Sequence, residues 1–114
     1  MNIKKESKGD VTIINVSGKI VVGEELDKLR NSVLEVLDSG KKNIILNLAE
    51  VPYVDSTGLG EIIRSYISVS KKNGSLKLLK ISEKIRDLLV ISKLITTFQK
   101  DIFDNLDEAV ASFN

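Results

Sequence analysis

A repeated change of hydrophobic period constrains this chain more than any other feature of its sequence. Short aliphatic runs of β-forming composition are followed by stretches whose apolar residues recur at helical spacing. Strands alternating with helices pair mostly in parallel, with the helices packed on the sheet and right-handed crossovers between neighbours.

The elements read off in order. "VTIINV" (11–16) follows "SKGD", a hairpin-like turn after a short first strand. Gly18 breaks that run, and "KIVVG" reads as a short continuation or edge strand. Leu26, Leu29, Val33, Val36 and Leu37 then share one helical face, opened by Glu24 and Glu25 and closed by "DSGKK". This predicts a helix over 24–38. "NIILNL" (43–48) has few polar breaks, as a central strand covered on both faces requires, and Pro52 limits its continuation. Leu59, Ile62, Ile63, Tyr66 and Ile67 mark a second helix, closed by Asn73-Gly74. "SLKLLKI" reads as a strand, "SEKIRDLLVI" as a helix capped by Ser82, "FQKDIF" as a last short strand, and "DNLDEAVASF" as a closing helix with Asp104 as its cap. The expected fold is α/β: a mixed, mostly parallel sheet flanked by about four helices, with the first two strands antiparallel.

A chain of 114 residues has the length of one domain, here expected over 1–114. It is 42% hydrophobic, almost entirely aliphatic, and can bury roughly two-thirds of its unfolded surface without staples. No cysteine is present, which excludes disulfides and thiolate metal sites and suits a cytoplasmic location. No run approaches the ~18 apolar residues of a membrane span. Seventeen basic residues nearly cancel sixteen acidic ones, and the lysine pairs are interleaved with acids. Nucleic-acid binding calls for a basic excess, so a protein is the expected partner, with no direct contact to nucleic acid or membrane.

Catalytic chemistry has little to work with. There is no histidine, which removes the commonest general base. Ser68 and Lys71 satisfy S-x-x-K, but the companion motifs are missing and a solvated helix face explains them. Asp101, Asp104, Asp107 and Glu108 gather at a strand-to-helix boundary, where acids favour the helix N-terminus without any ion. Gly58-Leu59-Gly60 lacks the third glycine of a dinucleotide fingerprint and the lysine of a phosphate loop. No metal and no cofactor is expected.

Asp55, Ser56 and Thr57 stand where the second helix begins, among unpartnered N–H groups at the positive end of its dipole. One of the three suffices as a cap, with Gly58 and Gly60 allowing a turn or a close approach. A phosphoryl group on Ser56 would add about −1.5 to −2 charges beside Asp55 and change what that surface binds.

"ILNLAEVPYVDSTGLGEIIRSY", with "KKNGSLKLLKIS" and "IRDLLVISKL" after it, resembles the STAS-domain anti-sigma-factor antagonists of bacteria from about Val11 onward. The resemblance implies a phosphorylation site at Ser56, with Asp55, Thr57, Gly58, Leu59 and Gly60 around it as a partner-binding surface. It implies two partners: an anti-sigma factor that is also a serine protein kinase, and a metal-dependent serine phosphatase that resets the switch. The free form is expected to be a monomer. Members often carry "GELD" or "GEID" where this chain reads Gly18-Lys19-Ile20-Val21, a segment that lies near the phosphorylation loop in the family fold. That departure motivates an alternative, a non-switching subunit of a larger assembly such as a lipid-transport ABC system. A third reading, an enzyme or nucleotide sensor, lacks a base, a metal set and a phosphate loop.

Overall fold

The computed structural model describes residues 1–113. Its elements are β1 (Asn2–Lys8), β2 (Val11–Ser17), α1 (Asp27–Asp38), β3 (Asn43–Glu50), α2 (Ser56–Lys71), β4 (Ser75–Leu79), α3 (Glu83–Ile91), α4 (Ile95–Phe98), β5 (Ile102–Phe103) and α5 (Leu106–Ala111). They build one sheet in the order β1-β2-β3-β4-β5. β1 lies antiparallel to β2, and every later neighbour is parallel. The mixed α/β sheet expected from the sequence is the one observed.

Two apolar layers enclose the sheet. On one face Ile14, Val16, Ile44, Leu46, Leu48, Leu76 and Leu78 pack against α1, α2, α3 and Phe98. On the other, Val11, Ile13, Ile45 and Leu79 meet Ala109 of α5. β2, β3 and β4 are apolar on both sides for this reason. α2 ends as its sequence announces: Asn73 takes a left-handed φ of 61°, and the Gly74 N–H donates to the Val69 carbonyl.

Several boundaries differ from expectation. The "KIVVG" segment forms no strand; only Ile20 makes an isolated parallel bridge, to Val54. α1 begins at Asp27 rather than Glu24, because residues 24–26 form a turn with no side-chain cap. "FQKDIF" divides into the end of α4, a 3₁₀ turn over Gln99–Asp101 and a two-residue strand. Ser82 caps α3 as expected, accepting from the Ile85 N–H, but α5 is capped by Asn105 and not Asp104.

The acids of the 101–108 stretch also separate. Asp107 pairs with Lys8, whereas Asp101 is buried. Lys77 Nζ donates to Asp101 Oδ1 at 2.9 Å, and the Tyr66 hydroxyl donates to Oδ2 at 2.8 Å. Lys77 also lies 6.0 and 5.4 Å from the ring centroids of Phe103 and Phe113. Burial, and then the adjacent Asp101, push the Tyr66 hydroxyl above its ordinary pKa. This cluster ties α2, β4 and the C-terminal segment together. Removing one member of a buried ion pair strands the other, so Asp101→Ala is expected to cost about 3 kcal/mol. Tyr66→Phe, which deletes one hydrogen bond, is expected to cost about 1 kcal/mol. Urea unfolding distinguishes the two; equal losses would contradict the pairing.

Candidate functional site

The site forms where two irregular segments meet beyond the ends of β2 and β3. Ile20 N–H donates to the Tyr53 carbonyl at 3.1 Å, and Asp55 N–H donates back to the Ile20 carbonyl at 3.3 Å. Asp55 follows in extended conformation and caps α2. Its Oδ1 accepts from the Gly58 N–H at 2.6 Å, while Oδ2 accepts from the Val22 N–H at 2.9 Å. One carboxylate therefore closes the helix and clamps the 20–22 segment onto it. These two N–H groups, Val22 first and then Gly58, hold the Asp55 carboxyl below its ordinary pKa.

Of the three capping candidates, Asp55 takes the role and leaves both hydroxyls free. Ser56 and Thr57 are exposed in the first turn of α2. Gly58 and Leu59 face inward: Leu59 belongs to the core, and Gly58 lies against the Ile20 backbone. A Cβ on Gly58 would stand 2.0 Å from the Ile20 carbonyl oxygen, so no larger residue fits. Around Gly60 nothing lies within 4 Å of a built Cβ. The part of the motif open to a partner is thus Asp55, Ser56, Thr57 and Gly60, with Gly58 and Leu59 supporting it from beneath.

Sequence reasoning missed what surrounds the hydroxyls. Val22, Tyr53 and Ile91 are exposed apolar side chains. Tyr53, Lys84 and Ile91 share a cleft with Ser56. An aromatic residue directly after Pro52, close before the Asp55-Ser56-Thr57 turn, was the one available signal. Ser68 of the S-x-x-K pattern is half-buried on α2, and Lys71 is exposed at its end. Among the described residues no group of three or more acids, histidines or cysteines is gathered to hold a metal ion. No helix there is long and apolar enough to cross a membrane.

Gly58→Ala is expected to destabilise the protein by about 2 kcal/mol or more, because rigid backbone opposes the added methyl. Gly60→Ala is expected to be neutral or to stabilise by about 0.5–1 kcal/mol, the helix-propensity difference. Thermal unfolding of both variants checks the contrast, and equal effects would contradict the packing. A depressed folded-state pKa at Asp55 contributes stability above the ordinary aspartate pKa, and this is lost as pH falls through the folded value. The melting-temperature gap between the unaltered chain and Asp55→Ala should therefore be open at pH 7 and shrink below about pH 4. A gap that does not change with pH would contradict the clamp.

The sequence matches the family model of the STAS domain over residues 2–109. It is 35% identical over 107 residues to the anti-sigma-B factor antagonist of Bacillus subtilis, covering 91% of each chain. The anti-sigma-B factor antagonist of Staphylococcus aureus is 31% identical over 81 residues, covering 67% of this chain and 75% of that protein. A solved Thermotoga maritima structure, assigned as an anti-sigma factor antagonist, superposes with a TM-score of 0.86 at 25% identity, covering 96% of this chain and 92% of that one. The Bacillus cell fate determinant SpoIIAA, in its phosphorylated form, shares the fold with a TM-score of 0.74 at 18% identity, covering 99% of this chain and 100% of that one. With the family model spanning nearly all of the sheet and its helices, and with relatives this similar over most of their length, the chain belongs to the STAS-domain family.

Proposed function

We propose that this protein is an anti-sigma-factor antagonist that works by partner switching. With Ser56 unmodified, it binds an anti-sigma factor that is also a serine protein kinase, and the sigma factor is released. The kinase then transfers the γ-phosphoryl group of ATP to Ser56 Oγ: the new P–O bond forms as the bond to ADP breaks, and the hydroxyl proton leaves. A metal-dependent phosphatase restores the serine by hydrolysis, releasing inorganic phosphate. In this reading the chain is a single cytoplasmic domain, monomeric when free, and a substrate of two enzymes rather than an enzyme itself.

The observation that carries the proposal is the placement of Ser56. Its side chain is exposed, it follows the capping Asp55, and it occupies the first turn of a 16-residue helix. The site rests on packed backbone, so charge added there alters the surface more than the fold. The curated relatives named as anti-sigma-B factor antagonists favour this reading over a non-switching subunit.

Incubation with the cognate kinase and ATP is expected to place one phosphate on Ser56, located by mass spectrometry of the digested protein. Ser56→Ala should keep binding the kinase, whereas Ser56→Asp should bind about tenfold more weakly or worse, since an unpaired charge at an interface costs affinity. Phosphate at another residue, or equal binding by the two variants, would contradict the switch.

A further inference from the structure

We propose that Lys84 is the internal partner of a phosphoryl group on Ser56, leaving the ring of Tyr53 to pair with it and so changing the surface beside the serine. This inference rests on the reading of Ser56 as a phosphorylation site. The connection between β3 and α2 and the outer face of α3 form a cleft of about 290 Å³, lined by Tyr53, Asp55, Ser56, Lys84, Asp87 and Ile91 among others. Lys84 is its one cation among the described residues. The ammonium sits 5.8 Å from the Tyr53 ring centroid and takes part in none of the ion pairs of those residues.

A lysine resting on an exposed aromatic face is weakly held, and its long stem reorients readily. Asp55, the carboxylate next to Ser56, is already engaged by the Val22 and Gly58 N–H groups and does not compete for it. Asp87, exposed on the next turn of α3, is the other acid in the cleft. A phosphoryl group would bring a larger charge and three acceptor oxygens into the same space, and charge-assisted bonds to it outmatch a ring face. Once Lys84 moves, the half-exposed Tyr53 loses its cover and the cleft loses its free cation. The modification is then read in two places, the serine and the ring.

The test uses the full chain with phosphoserine installed at position 56 by genetic encoding, with Lys84 intact, as Lys84→Gln or as Lys84→Arg. The second ionisation of phosphoserine, ordinarily near pH 6, is followed by phosphorus NMR. With Lys84 or arginine present it should titrate about half a unit or more below the Lys84→Gln protein, because a nearby cation favours the dianion. The Tyr53 ring resonances should shift more on phosphorylation with Lys84 present than in Lys84→Gln, where the ring feels the phosphoryl charge but loses no ammonium. Equal titrations with Lys84 and with glutamine, or a Tyr53 ring shift of the same size in both, overturn the proposal. No kinase enters the experiment, so a failure here concerns Lys84 alone, while a kinase that ignores Ser56 removes the earlier reading instead.

Discussion

The arrangement at this site depends on a single carboxylate shared between two backbone amides. Asp55 accepts from Gly58 with one oxygen and from Val22 with the other, so one residue both starts α2 and holds the 20–22 segment. Of the four N–H groups that a helix N-terminus leaves unpaired, a capping side chain takes one, and water serves those that face solvent. Once Asp55 fills that need, the neighbouring hydroxyls have no structural duty and remain in solvent. The availability of Ser56 follows from what Asp55 does.

The contact beneath it is equally demanding. Ile20 is fully buried, its carbonyl receives the Asp55 N–H, and the missing side chain of Gly58 makes room for that carbonyl. The segment reading Gly18-Lys19-Ile20-Val21 is thus part of the site's foundation. The segment presents Lys19 as an exposed cation and leaves Val22 exposed beside the clamp. Exposed apolar side chains beside the serine, Val22 and Tyr53 among them, are surface a partner could cover.

Hydrophobic period made most of the architecture legible. Long runs such as "NIILNL" and the Leu59–Ile67 spacing have one compatible environment each, and both formed the predicted elements. What period could not resolve were the places where a local alternative wins. Residues 24–26 turn before α1 begins. Asn105 displaces Asp104 as a cap, although both side chains are suited to the role. The site itself was half legible. "DSTGLG" located the hydroxyls, but sequence alone did not separate Leu59, turned into the core, from Ile91, which is exposed. Nor did it reveal Glu61, an acid buried on α2 with one oxygen paired to Arg64 and the other without a protein partner. Lys84 is distant from Ser56 in sequence and reaches the cleft only through the packing of α3.

The central claim is that one exposed hydroxyl, freed by its neighbour's capping role, governs docking by gaining or losing charge. The most direct measurement is calorimetric titration of the cognate anti-sigma kinase with the unmodified protein and with the same protein phosphorylated at Ser56 and purified. The account predicts a saturable heat of binding for the first and a loss of most of it for the second. Indistinguishable affinities for the two forms would contradict it.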